Sequence, residues 1–335
     1  MKFLVSYPHT SFKYLSYRAL KLARGIVDGS TDVFQGDPGG KIVLYESKEP
    51  GAKLKKLATI DTKKPYGMHY VPGEGLYFVA GDQCKGEASP GNERILRINP
   101  YGKLDLEIRS QLFSNLRSVK RTQQGILVSA SGIDALLEYD LNGNLIWDWW
   151  ATDSAYPFLQ NGEIREIRKD TNHSSVVYPT QSQTTHINSG IEDPNNPQKI
   201  LASLFHQNEI VAIDKETKEL EVLLSNLKRP HHIRPQEGGF IVSNTRGGTV
   251  LVIDENFDVI QEIEGNTKDP YFKRWIQDAI MTDRSSFLIA DAMNFRLVEQ
   301  LRDKKYTYRI GAPNRVFQLE EVPEEFELSD VVIKE

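Results

Sequence analysis

The feature that most limits how this chain can fold is a repeat of two short strand-like segments, in units of roughly 40 to 55 residues. One segment is a polar turn followed by an apolar run that ends in Ala or Ser: GEGLYFVA (73–80), QQGILVS (123–129), PQKILAS (197–203), EGGFIVS (237–243) and RSSFLIA (284–290). The other is an apolar run closed by Asn or Asp and then a turn: RILRINPYGKL, ALLEYDLNGNL, IVAIDKETKEL and VLVIDENFDVI, closing at Asn99, Asp140, Asp214 and Asp254. Weaker copies, KIVLYESKEPGAKL and FRLVEQLRDKKYTY, bring the number of units to six.

Short runs of Val, Ile, Leu and Phe bounded by Gly, Asn, Asp and Pro are strands, not the 3.6-residue stripe of a helix. Turns such as that at Asn142 and Gly143 supply the positive backbone dihedrals of tight hairpins. A sheet of four such strands cannot bury both faces without a neighbour on each side. The pattern therefore predicts an all-β, six-bladed β-propeller occupying residues 1–335 as a single domain. Blade breaks are expected near residues 65, 113, 182, 228 and 272, and the N-terminal strand should meet the segment after Pro313 in one closing blade. Two segments lack the repeat, residues 10–40 and 151–181. Both are expected as long insertions near one channel mouth, the second with Tyr156, Pro157, Phe158 and Tyr178 as an apolar underside.

A net charge of −5 carries no electrostatic footprint for nucleic acid. The lack of an apolar run of about 18 residues argues against a membrane span. The start of the chain has no apolar h-region, so a cytoplasmic location is expected. Cys84, the only cysteine, excludes an internal disulfide and a thiolate metal cluster, and no base stands beside it. The clusters KLKK (53–56) and RDKK (302–305) and the tail LEEVPEEFELSD are expected to be solvated edges.

In a propeller the first strand of each blade lines the channel, so matched positions form a ring. Counting eleven residues back from the closing Ala or Ser gives His69 from Ala80 and His232 from Ser243, with His186 entered by its place at a strand start. These three are the candidate catalytic residues, expected within about 10 Å of one another at one channel mouth. A second ring lies three residues beyond the closing Ser: His206, Arg246, Gly132 and Met293. His206 and Arg246, together with Asn188, Asn208, Arg117, His231 and Asp278 one or two residues from the ring positions, are the candidate substrate-binding groups. Asp278 could also orient a channel histidine or cap a turn.

HINSG followed by ILASLFHQNEIVAIDKETKEL resembles the PAPS-independent arylsulfotransferases, six-bladed propellers with an H-x-N element, a strand, and an S-x-R/H-x-N loop. GNLIWDWWATD, with Trp147, Trp149 and Trp150, and RPHHIRPQEGGFIVSNTRGGTVLVID are similar to the same repeats, so the likeness covers residues about 125–260. The resemblance implies a channel histidine that is transiently sulfated and neighbouring cations that hold the sulfuryl oxygens. By motif, His186 matches the H-x-N histidine and Arg246 and His206 the anion-binding position, leaving His232 or His69 as nucleophile. The chain departs from the family in its start, in its shorter length and in Phe205, which stands where an arginine is expected.

Two other readings of the same residues remain open at this level. Three neutral imidazoles with an open position would suit Zn²⁺ or Fe²⁺ and a hydrolase, lyase or oxidoreductase, with His69, His186 and His232 as ligands; otherwise no cofactor is expected. The propeller could instead be a non-catalytic interaction platform, with histidines that only fill a hydrated channel. Inward-pointing polar residues favour an enzyme acting on an anionic or aromatic small molecule.

Overall fold

The computed structural model describes residues 1–23, 37–81, 93–174, 176, 178–265 and 274–333; Cys84 and parts of the first insertion lie outside them. Six sheets are arranged around an axis as a six-bladed β-propeller. Blade 1 contains β1 (Lys2–Tyr7), β2 (Lys41–Glu46) and β3 (Lys55–Asp61). Blade 2 runs β4 (Met68–Val71), β5 (Gly75–Ala80), β6 (Arg94–Ile98) and β7 (Leu104–Arg109). Blade 3 runs β8 (Leu116–Arg121), β9 (Ile126–Ala130), β10 (Ala135–Tyr139) and β11 (Leu145–Trp150). Blade 4 runs β12 (Ile187–Glu192), β13 (Lys199–Leu204), β14 (Glu209–Asp214) and β15 (Leu220–Leu224). Blade 5 runs β16 (Ile233–Gln236), β17 (Gly239–Asn244), β18 (Thr249–Asp254) and β19 (Val259–Glu264). Blade 6 runs β20 (Ile276–Met281), β21 (Phe287–Asp291), β22 (Arg296–Leu301) and β23 (Lys304–Arg309).

Alternation along each strand splits the apolar residues between two neighbours. On β9, Ile126 and Val128 join Tyr77 and Val79 of blade 2, while Leu127 joins Ile200 and Ala202 of blade 4. On β13, Ile200 and Ala202 face back and Leu201 faces on toward Phe240 and Val242. Strands buried on both faces read as continuous apolar runs, which is why the second strand of each unit stands out in the sequence.

Closure follows the expected route. β24 (Gln318–Val322) becomes the innermost strand of blade 1 and pairs antiparallel with β1, from Lys2 with Val322 to Ser6 with Gln318. β25 (Val331–Val332) adds a parallel edge outside β3. The acidic tail therefore corrects one expectation, because its Leu319–Val322 stretch is channel-lining strand and Leu319 is fully buried. The Lys and Arg clusters at 53–56 and 302–305 are exposed as expected, apart from the half-buried Leu54.

The two segments without the repeat pack onto the ring. α1 (Phe12–Ala23) follows β1 and brings Arg18 to a channel mouth. The 151–183 segment crosses blade 3, where the His173 and Ser174 N–H groups donate to the Gln111 carbonyl at 2.7 and 3.0 Å. Tyr156 and Tyr178 pack on the blades, but Phe158 is 55% exposed and contributes nothing to an apolar underside. Among the described residues, no helix is long and apolar enough to cross a membrane.

Gln318 ties the closing strand to blade 2. Its Oε1 accepts from Met68 N–H at 2.9 Å and its Nε2 donates to the Met68 carbonyl at 2.6 Å, both in buried surroundings. Gln318→Ala would leave both Met68 groups unpaired, so urea denaturation should show a loss of about 1–3 kcal/mol. A change within ±0.3 kcal/mol, roughly the level of a neutral surface substitution, would mean that this bridge does not stabilise closure.

Candidate functional site

Four of the inner strands begin with the same backbone device. Lys64, Asn115, His186 and Arg229 all adopt the left-handed conformation, with φ of 47, 55, 48 and 57°. The residue before each of them accepts a backbone hydrogen bond: Lys63 from Gly81, Ser114 from Gly132, Thr185 from His206 and Lys228 from Arg246, at 2.8–2.9 Å. Bulky residues adopt this conformation only where surrounding contacts enforce it. For His186 the enforcement comes from Asp134, whose carboxylate accepts from the N–H groups of Thr184, Thr185 and His186 at 2.7, 2.9 and 2.9 Å and from Thr185 Oγ1 at 2.6 Å. Arg165 pairs with the same carboxylate. The backbone N–H of Arg229 donates to Asn208 Oδ1 at 3.0 Å.

Three residues further on, the chain reaches a level that is matched around the axis. Ser118 faces Ser129, Ser189 faces Ser203, Asp278 faces Ala290 and Gln318 faces Ser6. His232 faces Ser243 and Gly67 faces Val79 through backbone bonds. The residue before each of these positions points into a cavity of about 400 Å³: Tyr66, Arg117, Asn188, His231, Gln277 and Phe317, one from every blade. His186, Arg229, His206 and Arg246 stand around this ring. Pro8, His9 and Arg18 line the cavity from the connection between β1 and β2, and Gln160, Thr180 and Gln181 from the 151–183 segment.

The expected convergence of His69, His186 and His232 is thereby redrawn. β4 pairs His69 with Tyr77, so Gly67 occupies the level of His232, and His69 lies two residues deeper. At ~3.3 Å per residue that is about 7 Å. There its Nδ1 accepts from Arg121 N–H at 2.9 Å, and burial beside Lys120 lowers its pKa to about 3. His232 is buried beneath the cavity floor with its Nε2 unpartnered, and burial lowers its pKa to about 4. Only His186 of the three lines the cavity. Among the described residues, no group of three or more His, Cys, Asp or Glu side chains could hold a metal ion, so the ligand set His69, His186 and His232 is not assembled.

Of the other candidates, Arg117, Asn188, His206, His231 and Arg246 line the cavity. Asn208 instead serves the Arg229 turn, and Asp278 belongs to a charged plug below the floor. Arg234 makes a two-pronged pair with Asp278 at 2.9 and 2.7 Å and reaches Glu320 at 3.1 Å, while Asp278 also accepts from Leu319 N–H at 2.8 Å. Lys120 lies 3.7 Å from Glu320, whose pKa falls to about 2 because these cations outweigh the effect of burial. Sequence reasoning did not single out Tyr66, Gln277, Phe317, Arg229 or Trp275. The eleven-residue count sets its levels at His69 and Ala279, one or two residues away from the observed Gly67 and Asp278, and sets none at Gln318, so the residues before them, Tyr66, Gln277 and Phe317, escape it.

Hydrogen bonds assign the imidazole tautomers. His186 Nδ1–H donates to Gln183 Oε1, which leaves Nε2 with its lone pair. Thr245 Oγ1 donates to the Ser243 carbonyl and so accepts from His231 Nδ1–H at 2.7 Å, again leaving Nε2 as the lone-pair nitrogen. His206 Nε2–H donates to the Thr180 carbonyl at 3.1 Å, and its Nδ1 accepts from Arg229 Nη1 at 3.0 Å. Burial, reinforced by neighbouring cations, pushes the His186 and His231 pKa values well below the usual 6.5 and that of His206 to about 4. These imidazoles are therefore neutral at physiological pH.

The walls are aromatic. Phe205 lies 5.1 Å from both His186 and His231 and 6.3 Å from Trp275, ring centre to ring centre. Guanidinium groups stack on these faces: Arg117 on Tyr66 at 4.3 Å, Arg229 on Phe205 at 5.2 Å, and Arg246 and Arg315 on Trp275 at 5.8 and 5.4 Å. Among the described residues, the lining includes five arginines and four histidines and no carboxylate. Arg117 Nε, Asn188 Oδ1 and Gln277 Nε2 are buried without a hydrogen-bond partner.

No protein-family model matches the chain. It is 30% identical over 153 residues to Teneurin-m of Drosophila melanogaster, a stretch that makes up 41% of this chain and spans 6% of that protein's length. Among solved structures it resembles a nidogen/laminin complex, with a TM-score of 0.59 and 8% identity, covering 95% of this chain and 97% of that one. A protein of unknown function from Bacteroides caccae matches with a TM-score of 0.56 and 10% identity over 95% and 97% of the two chains. A putative 6-phosphogluconolactonase from Bacteroides uniformis ATCC 8492 matches with a TM-score of 0.50 and 12% identity over 92% and 82%. At such identities the likeness is one of fold, a six-bladed propeller. None of these matches is an arylsulfotransferase.

Asp134→Ala would orphan three buried N–H groups and the Arg165 charge, so an unfolding titration should show a loss of about 3–5 kcal/mol. Less than ~1 kcal/mol would mean that the His186 turn is held by other contacts. Stability should also fall on acidification. His69, His206 and His232 have folded pKa values of about 3, 4 and 4, below the ~6.5 of an unfolded chain. The unfolded state then binds more protons below that value, and stability is lost as pH drops from about 6.5 toward about 4. His232→Gln should flatten this slope in urea titrations between about pH 6.5 and 5, whereas an unchanged slope would mean that His232 titrates normally.

Proposed function

We propose that the axial cavity binds a small organic anion with a flat apolar body and acts on it through the neutral imidazoles of His186 and His231. The observation that carries this reading is the lining, in which Arg117, Arg229 and Arg246 stand with four histidines and, among the described residues, no carboxylate. Such a surface repels a metal cation and attracts sulfate, phosphate or carboxylate oxygens. Buried donors at Arg117 Nε and Gln277 Nε2 have no protein partner, which supports a ligand acceptor atom at the floor.

An aryl sulfate fits these requirements, with its ring against Phe205 and Trp275 and its sulfuryl oxygens on Arg117. In the transfer we propose, His186 Nε2 attacks sulfur, the bond from sulfur to the aryl oxygen breaks, and the electron pair leaves on the phenolate oxygen. An acceptor hydroxyl or water then takes the sulfuryl group from the imidazole, and His231 Nε2 accepts its proton. Both nitrogens are available because their ring partners are fixed by Gln183 and Thr245. Arg117 would hold charge that shifts onto oxygen in the transition state.

Binding of phenyl sulfate and turnover of 4-nitrophenyl sulfate test the reading. Arg117→Ala should weaken phenyl sulfate binding by about 10- to 100-fold, or about 1.4–2.8 kcal/mol. His186→Ala should abolish turnover but leave binding measurable, and a chelator should have no effect. The anion reading fails if phenyl sulfate does not bind, and the sulfuryl-transfer step fails if it binds without turnover in the parent protein. A stoichiometric metal lost on His186→Ala would replace both with a metalloenzyme.

A further inference from the structure

The arginines of the cavity lie at two depths. Arg117 belongs to the ring at the floor, where its guanidinium lies 4.3 Å from the Tyr66 ring centre and 6.0 Å from that of Phe317, and its Nε is buried without a hydrogen-bond partner. Arg229 precedes His231 of the same ring by two residues, in the left-handed bend that leads into β16. Arg246 is exposed at the rim. The Arg246 N–H donates to the Lys228 carbonyl at 2.8 Å, one residue before Arg229, so the two cations start from adjoining turns, and burial together with the charge of Arg246 lowers the pKa of Arg229. Among the described residues, no carboxylate lines the cavity to relieve them.

Two like charges held together on aromatic supports, Arg229 on Phe205 and Arg246 on Trp275, form an anion site separate from Arg117. Phe205 and Trp275, 6.3 Å apart, supply flat apolar surface beside it. One small anion on Arg117 would leave the rim pair without a counter-charge. We propose that the ligand is a dianion, with two acidic groups on one rigid flat body: the first bound at the floor by Arg117 and the second at the rim by Arg229 and Arg246. The inference rests on the reading of the cavity as an organic-anion site and adds the second acidic group.

The probes are phenyl sulfate and 4-carboxyphenyl sulfate, which differ by one carboxylate, with affinities measured by calorimetry on the parent protein and on Arg246→Ala. The Arg246 side chain is exposed, and its turn is held by the backbone bond from its N–H to the Lys228 carbonyl, so the variant should fold. The dianion should bind about tenfold or more tightly than the monoanion to the parent, and the ratio should fall to within about twofold in Arg246→Ala. Equal affinities in the parent, or an equal loss for both probes in the variant, would overturn the second anion site while leaving the cavity as a monoanion site. Failure of both probes to bind would remove the cavity reading and this inference with it.

Discussion

The structure depends on one packing constraint: no blade can cover its own faces. Each second and third strand is apolar on both sides, so its side chains must be shared between the blades before and after it, as Leu127 and Val128 are shared in opposite directions. Repeating that requirement around a closed ring brings six strand starts to a common axis. The axial cavity is a geometric consequence of burying the blades, and its chemistry is set by the residue that each blade delivers there.

What those residues have in common, among the described part of the chain, is positive or neutral character with no carboxylate in the lining. Protein interiors place arginine beside carboxylates, and this one does so immediately below the cavity, where Arg234 and Lys120 are matched by Asp278 and Glu320. The contrast within one channel is informative. The plug is internally neutralised and hydrogen-bonded, as a structural element is. The cavity above it keeps its cations on aromatic faces and leaves polar atoms of Arg117, Asn188 and Gln277 unpaired, which is costly unless a ligand completes them.

Neutral histidines follow from the same arrangement. Burial and surrounding guanidinium groups both disfavour the imidazolium form, so His186 and His231 keep a lone pair in an otherwise cationic setting. Backbone strain is placed where it sets this chemistry: His186 holds a left-handed conformation because Asp134 of the preceding blade collects three consecutive N–H groups. The position of the histidine thus depends on the packing of blade 3 against blade 4.

Much of this was legible in the sequence. Apolar runs with turn punctuation specified strands, their recurrence specified six blades, and the similarity of the loops after the second strand placed His206 and Arg246 at matched points of one cavity. The sequence alone did not determine which residues share a level, because hairpin lengths differ. Across the hairpins, Ser118 meets Ser129 but His69 meets Tyr77, and such an offset carries a side chain about 7 Å along the channel. Tertiary structure alone decided that Asn208 and Asp278 serve backbone and plug, and that Tyr66, Gln277 and Phe317 complete the ring. It also decided that His186 and His231, rather than His69 and His232, face the cavity. Local pattern reports which face of a strand is apolar, whereas the axial level of a residue depends on the register between blades, which exists only once the ring has closed.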